Sequence, residues 1–367
     1  MPSLVSEIVG IVTYRKGESR VNDNKKIYKL VKFCPAISTE NMGDHIIEYY
    51  CDRVIKDIFG EAMMVSLPIR DRLSRLSVKQ VGSADFALVC GTNLLSSDMR
   101  HFRQWKMRFW DAIRIRYGGV NKNELFNIKI VKKKADDIHV ILMGAGWYQY
   151  QNKPTDYTKK VLSILLDKKC LHSVRDSYTE KKLAAIGITN VVNTACPTMW
   201  GLTPEKCAMI PKRKADMVVT TLTNYNKNSD SDKQLLECLM QSYKTVYVWI
   251  QSIDDLAYLK KLGYYARVEV VPPTLAAYEN VLKSDIDYVG TRLHGGIQAL
   301  NFGKRSIILA VDNRALEIAK DTNLPVIKRE STMKELMEAI MFARETSIKL
   351  PLENIQRWKD QFLTRPL

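Results

Sequence analysis

The residue types best able to do chemistry in this 367-residue chain stand together in Thr291-Arg292-Leu293-His294-Gly295-Gly296. A guanidinium grips a carboxylate or phosphate through two parallel hydrogen bonds. An imidazole gives or takes a proton near neutral pH. Two glycines leave room for an anion beside the backbone. The flanking residues say how these groups are held. Ile286, Tyr288 and Val289 have strand character, and Ile297, Ala299 and Leu300 fall close to helical spacing. A strand end that feeds a helix start brings free backbone N–H groups and a positive dipole end to one place. Local chemistry leaves two readings open: an anion and proton-transfer site, or a structural arginine and a core histidine at a glycine-containing turn.

Other chemistry-bearing residues also sit where an apolar run ends. Asn41-Met42-Gly43-Asp44 precedes a helix whose face is Ile46, Ile47, Tyr50, Val54, Ile55 and Ile58. Gly91-Thr92-Asn93 follows the run Phe86 to Cys90. Gly144-Ala145-Gly146 follows His139 to Met143, and Arg175-Asp176 follows Leu171 to Val174. Asp44 reads either as a reacting carboxylate or as one that favours the helix dipole. Arg175-Asp176 reads as an anion clamp or, slightly favoured, as a local salt bridge. Asp176 or Ser177 could cap the helix that follows.

These turns need strands before them and helices after them. Strands are expected at Ile8 to Val12, Ile27 to Phe33, Met63 to Leu67, Phe86 to Cys90, His139 to Met143, Leu171 to Val174 and Asn190 to Asn193, with Met63 to Leu67 and Phe86 to Cys90 reading as buried. An aromatic-rich helical segment is expected around Phe102 to Ile115. Gly201 to Ala215, with two prolines and mixed charge, reads as a linker. Beyond it, strands are expected at Met217 to Thr221, Val246 to Ile250, Val268 to Val271, Ile286 to Gly290 and Ser306 to Ala310, with helices between them. Late helices are expected at Arg314 to Lys320, Met333 to Thr346 and Leu352 to Phe362. Alternation of strand and helix specifies parallel sheets covered on both faces. The fold class is therefore α/β, with two doubly wound Rossmann-like domains facing a cleft. Their expected limits are 1–200 and 216–367, joined by 201–215. Ligands of such sheets bind beyond the carboxyl ends of the strands.

Composition narrows the partners. The formal charge is +16, which fits nucleic acid, an anionic membrane surface or small acidic substrates. The basic residues are dispersed, and the densest runs, Lys132-Lys133-Lys134 and Lys212-Arg213-Lys214, read as solvated loops. No basic segment is interleaved with aromatics, so nucleic acid is not expected. No apolar run is long enough for a membrane span, and no secretory signal is evident. The seven cysteines show no C-x-x-C spacing, which speaks against structural zinc and a disulfide framework and for a cytoplasmic, reducing compartment. No metal is expected, because no ligand cluster is visible in the sequence.

Four motifs in order then carry a resemblance: Asn41-x-Gly43-Asp44, Gly91-Thr92-Asn93-Leu94-Leu95, Val174-Arg175-Asp176 and Thr291-Arg292-Leu293-His294-Gly295-Gly296. Their order and spacing resemble the polysaccharide pyruvyltransferase family over about residues 38–320. The resemblance implies a GT-B-like fold. It also implies transfer of a pyruvyl group from phosphoenolpyruvate, a co-substrate and not a cofactor, to hydroxyls of a cell-envelope glycan or its lipid-linked precursor. Arg292 would bind the donor's phosphate or carboxylate and His294 would be the acid/base residue, with His45 a second choice. His101, His139 and His172 read as surface or strand residues. Asp44 could orient a sugar hydroxyl or act as a base. Substrate contacts would come from Asn41, Gly43, Gly91, Thr92, Asn93, Gly144, Gly146, Arg175, Thr291, Gly295 and Gly296. The chain departs from the family at Gly91-Thr92-Asn93, where a triple glycine is common, and at Cys196-Pro197, where Asp-Pro is common. Trp147 also follows the retained Gly144-Ala145-Gly146. Lipid-linked acceptors and the basic charge together imply peripheral association with the inner face of an anionic membrane. The alternatives are a metal-independent glycosyltransferase, with a nucleotide sugar against Asp312, Arg314 or Glu317, and a non-catalytic anion-binding protein.

Overall fold

A computed structural model of the protein describes residues 27–71, 73–100, 109–116 and 139–363. The strand expected at Ile8 to Val12, the first part of the segment Phe102 to Ile115, His101 and Lys132-Lys133-Lys134 lie outside the described residues.

Two parallel sheets form, one from each half of the chain. In the first, β1 (Lys29–Cys34), β2 (Met63–Pro68), β3 (Phe86–Cys90) and β5 (Val140–Met143) lie in the order β2-β1-β3-β5. Beyond the ends of β3 and β5, the short strands β4 (Asn93–Leu95) and β6 (Gly146–Trp147) pair with each other. β7 (His172–Val174) and β8 (Val191–Asn193) form a further pair. A bridge from Ala145 to Val174 brings that pair alongside β5. The second sheet holds β9 (Met217–Thr220), β10 (Thr245–Trp249), β11 (Glu269–Val271), β12 (Ile286–Gly290), β13 (Ser306–Ala310) and β14 (Val326–Lys328), in the order β11-β10-β9-β12-β13-β14. Counted along the chain this is 3-2-1-4-5-6, the order of dinucleotide-binding sheets, and it reverses between β9 and β12. In the first sheet the order reverses between β1 and β3. The fold is α/β, as the alternation of elements requires, and its two Rossmann-like sheets make it GT-B-like.

Burial explains which strands were legible. β3, β12 and β13 are buried along their whole length, because helices cover both faces. β2 was expected to be buried and is not: Met63 is 61 % and Met64 41 % exposed. It is the edge strand, with one neighbour in place of two. The helix Arg75–Gly82, capped by Ser74, and the three-residue β14 were not anticipated. The late helix begins at Met333 as expected but ends at Met341.

The segment 201–215 is more than a solvated connection. Thr203 caps a short helix, Pro204–Ala208, and Leu202, Cys207 and Ile210 are buried in a cluster with Met199 and Leu293. The last helix, Leu352–Asp360, returns to the first sheet. Trp358 and Phe362 are buried there with Leu30, Ile47, Phe86 and Cys170. Among the described residues no helix is long and apolar enough to cross a membrane.

Candidate active site

All the expected site residues leave the carboxyl end of a parallel strand. Asn41, Gly43 and Asp44 follow β1, and Gly91, Thr92 and Asn93 follow β3. Gly144 and Gly146 follow β5, Arg175 follows β7, and Thr291 to Gly296 follow β12. The turns after β1, β3 and β12 are those where strand order reverses, so no neighbouring connection covers them.

His294 is in the first turn of the helix Leu293–Asn301 and sits where the two halves meet. Its Nε2 is 3.7 Å from the Cys196 Sγ at the end of β8. On the other side is the backbone of Gly43, where an added Cβ would lie 3.6 Å from Nδ1. Burial pushes the imidazole pKa down to about 3, and the charges of Arg314 and Arg175 push the same way. The histidine is therefore neutral at physiological pH. Cys196 accepts a hydrogen bond from Thr198 Oγ1 at 3.1 Å, and burial raises its thiol pKa. A neutral thiol beside a neutral imidazole adds no charge to the pair.

Arg292 does not point out to grip an anion, contrary to the expectation from its position. It is the helix N-cap, and its side chain turns inward. Nη2 donates to both Asp255 oxygens at 2.8 and 2.7 Å, and Nε donates to the Leu222 carbonyl at 3.1 Å. The pair is 6 % and 2 % exposed. A buried guanidinium must find a carboxylate inside the protein, and Asp255 on the earlier helix Ile253–Leu262 provides it. Thr291 is likewise held internally, by the Thr221 carbonyl and the Thr223 hydroxyl.

The two glycines also serve packing and do not clear space for a ligand. A Cβ on Gly296 would collide with Ile308, and one on Gly295 would press on Tyr288 at 3.2 Å. Their absence lets the helix lie directly on β12 and β13. Tyr278 and Ser306 hydroxyls donate to the carbonyls of Gly295 and Gly296.

The motifs of the first half converge in the same way. Arg175 is 1 % exposed, and its guanidinium lies against the bare backbone of Gly146, where a Cβ would overlap it. It donates to the Asn93 side-chain carbonyl and to Asp176. Asp176 also caps the helix Ser177–Ala184, so of the two readings the pair forms the local salt bridge. Gly144, at φ +67°, turns the chain beside Pro197, which would clash with any Cβ there. Gly91 meets Ile47 similarly, and Thr92 follows in the left-handed region at φ 62°. Asn41 caps the helix Met42–Phe59 by accepting from Gly43 N–H. Asp44 accepts from Arg70 at 2.7 Å and from Asn41 and Thr39 at 3.2 Å. His45, one position on, is half-buried near Glu48.

Several participants were not singled out from sequence. Tyr225 carries Arg292 over its ring at 4.9 Å and accepts from Arg314 Nη2 at 2.8 Å. Burial opposes the charge of Arg314, but Tyr225 and Asp312 hold its pKa well above the usual value. Gln251 is fully buried after β10, and neither atom of its amide has a partner among the described residues. Its Nε2 is 3.5 Å from where a Gly295 Cβ would be. Position alone could have flagged Cys196 and Gln251 as site residues, because each follows a strand's carboxyl end, whereas Arg314 was named only for the nucleotide-sugar alternative. Among the described residues five arginines thus stand at these ends, each with its own aspartate: Arg70–Asp44, Arg175–Asp176, Arg292–Asp255, Arg314–Asp312 and Arg329–Asp232.

One ligand-type cluster escaped the sequence reading. His139, Asp167 and Cys170 place a nitrogen, an oxygen and a sulfur within 4.8 Å of one another. It lies at the amino end of β5, away from His294. Asp167 accepts there from His139 Nδ1 at 2.6 Å and from the backbone of Lys169 and Cys170.

The sequence model of the polysaccharide pyruvyl transferase family matches residues 41–313, from the cap Asn41 to Asn313 beside Asp312. The chain belongs to the polysaccharide pyruvyl transferase family. It is a transferase. No curated protein matches it in sequence. Solved structures to which the chain is similar include the UDP-GlcNAc 2-epimerase of Methanocaldococcus jannaschii, 10 % identical, with 89 % of this chain and 97 % of that chain covered at a TM-score of 0.48. The Neisseria meningitidis UDP-GlcNAc 2-epimerase is 11 % identical, with 91 % and 93 % coverage and a TM-score of 0.41. A Thermobaculum terrenum O-GlcNAc transferase mutant is 10 % identical, with 94 % and 65 % coverage and a TM-score of 0.42. At this level of overlap they bear on neither substrate nor mechanism.

Proposed function

We propose that the protein transfers a pyruvyl group from phosphoenolpyruvate to sugar hydroxyls of a cell-envelope glycan or its lipid-linked precursor. The observation that carries this reading is the neutral, buried His294 between the two halves, with Arg175 and Arg314 acting on it. Phosphoenolpyruvate brings a phosphate and a carboxylate. Arginines and the first N–H groups of the helix Leu293–Asn301 are the donors suited to such charge. Arg292 keeps the arginine-rich turn in shape through Asp255, and Arg314 and Arg175 supply the field.

In this reading the neutral imidazole takes a proton from the attacking sugar hydroxyl. The hydroxyl oxygen bonds to the phosphate-bearing carbon of the enol, and the protonated imidazole passes that same proton to the adjacent methylene carbon, which becomes a methyl group. The second hydroxyl then attacks the same carbon as its bond to the phosphate oxygen breaks. His294, neutral again, takes the second hydroxyl's proton and gives it to the departing phosphate. No metal is invoked, and turnover is expected to survive EDTA. The His139–Asp167–Cys170 cluster lies at the other end of the strands and does not alter this. Basic charge and a lipid-linked acceptor favour peripheral binding to anionic membrane at its inner face. That binding should weaken as salt is raised.

The test is a thermal-shift comparison of phosphoenolpyruvate with nucleotides and nucleotide sugars, followed by phosphate release with acceptor. Stabilisation by phosphoenolpyruvate and not by nucleotides supports the reading. Stabilisation by a nucleotide sugar alone would turn it to a glycosyltransferase, and binding without turnover to an anion-binding protein.

A further inference from the structure

A cavity of about 510 Å³ opens on the first half, lined by Ser96, Ser97, Tyr150, Gln151 and Asn152 among others. We propose that it binds a hexose unit of the acceptor, with the Tyr150 ring as platform and the Gln151 amide as a fixed hydrogen-bond donor. This rests on the transferase reading above and concerns only its acceptor.

Three observations converge on that cavity. The first is where it lies. Its walls are the continuations of β4 and β6, the same two segments whose Asn93 and Gly146 hold Arg175. The Trp147 carbonyl accepts from Asn313 at 3.5 Å, next to Asp312 and Arg314. The cavity walls thus lead back to the segments that hold Arg175, one of the groups that act on His294. Tyr150 ties its rim to the second half, donating its hydroxyl to Glu317 at 2.8 Å.

The second observation is the orientation of Gln151. Its Oε1 accepts from Ser97 N at 2.7 Å, Trp147 Nε1 at 3.1 Å and Ser96 Oγ at 3.2 Å. An indole and a backbone N–H can only donate, so this end must be the oxygen. The NH₂ end is thereby turned away from those partners, with two protons to offer. The backbone of Gln151 is itself fixed, by the Tyr178 hydroxyl and by Lys182. A donor this well held needs no reordering to meet a hydroxyl.

The third is the ring of Tyr150. The residue is 57 % exposed, yet it is propped edge-on against Tyr178 at 5.4 Å and tethered through its hydroxyl. A rigid exposed aromatic face beside polar groups matches a sugar, which has an apolar C–H face and a rim of hydroxyls.

The experiment uses the full chain and saturation-transfer NMR with p-nitrophenyl hexosides of gluco, galacto, manno and N-acetyl configuration. At least one should bind. Tyr150→Phe keeps the ring and loses only the Glu317 tether, so affinity should stay within about twofold, whereas Tyr150→Ala should lose about tenfold or more. Gln151→Glu keeps the oxygen that holds the fold and removes the donor, and should also weaken the sugar. Phosphoenolpyruvate affinity, measured separately by calorimetry, should be unchanged in all three. Absence of binding by every hexoside, equal losses in the Phe and Ala variants, or undiminished binding by Tyr150→Ala would each overturn the proposal. Failure of the protein to bind phosphoenolpyruvate would instead count against the transferase reading, leaving the sugar result to stand or fall alone.

Discussion

His294 and its immediate partner fix the first expectation. A buried neutral imidazole is set to accept a proton, and nothing in the donor's ground state requires it. His294→Gln should therefore leave phosphoenolpyruvate affinity nearly normal and lower turnover by roughly 10²–10⁴. Cys196 tests the same point from the other side. Its thiol is 3.7 Å from Nε2, and burial raises its pKa, so it carries no charge. Cys196→Asp places a negative charge beside the ring and should raise its pKa. The acid limb of the kcat–pH profile should move to higher pH, and a profile identical to wild type would show that the imidazole does not titrate in catalysis. Acid stability is a separate consequence. Burial lowers His294 from 6.5 to about 3 and His172 from 6.5 to about 4. Below pH 6.5 the unfolded chain takes up protons that the folded chain refuses, so stability is lost as pH falls through that window. Denaturation at pH 7, 5.5 and 4.5 should show a stepwise decline that His294→Gln makes shallower. An equal slope in both proteins would mean that His294 is not the buried neutral group inferred here.

Elements, more than residues, decided what the sequence could reveal. β3, β9, β12 and β13 were legible because strands covered on both faces must be apolar throughout, and the turns after them because glycine and polar residues interrupt those runs. The edge strand β2 was placed but its burial was misjudged, since an apolar run does not say how many neighbours a strand has. Arg292 was legible as an anchor and illegible as to what it anchors. Its partner Asp255 lies 37 positions earlier on a different helix, and no local pattern joins them. The same holds for Cys196 and His294, 98 positions apart. Gly295 and Gly296 were read as space for a ligand, but the helix Leu293–Asn301 uses them to lie on β13. This has a measurable form. Gly296→Ala forces a methyl group into Ile308 and should destabilise by ~1–3 kcal/mol through overpacking. Paired with Ile308→Ala, which removes the two nearest obstructing atoms and leaves Tyr288 at 2.9 Å, it should cost less than the sum of the two single changes. Strict additivity in urea denaturation would mean that the helix shifts freely and the contact is not limiting.

At the scale of the whole molecule, the question is what holds two sheets in one register across a shared site. Direct ties cross between the halves. Asp321 accepts from Ser177 N–H at 2.6 Å, Ser177 Oγ at 2.8 Å and Asn193 Nδ2 at 2.8 Å, and Tyr50 donates to Gln298 at 2.9 Å. The chain itself then crosses back. After the family match ends at residue 313, the helix Leu352–Asp360 lays Trp358 into the core of the first sheet. Gln361 makes two hydrogen bonds with the Leu171 backbone, and Asn354 donates to the Asn193 carbonyl. Leu171 and Asn193 flank β7 and β8, the strands that lead to Arg175 and Cys196. The returning helix therefore supports the first-half side of the site from behind. Trp358 is fully buried and packs edge-on against Trp200 at 5.7 Å and Phe362 at 5.1 Å. Trp358→Ala should cost about 3–5 kcal/mol in stability. Trp358→Phe keeps most of the volume and should cost clearly less. If the helix were only an appendage, Trp358→Ala would unfold the C-terminal segment locally, and hydrogen exchange in β7 and β8 would not change. Faster exchange in both strands, together with a lowered midpoint for the whole protein, is the outcome expected of a brace.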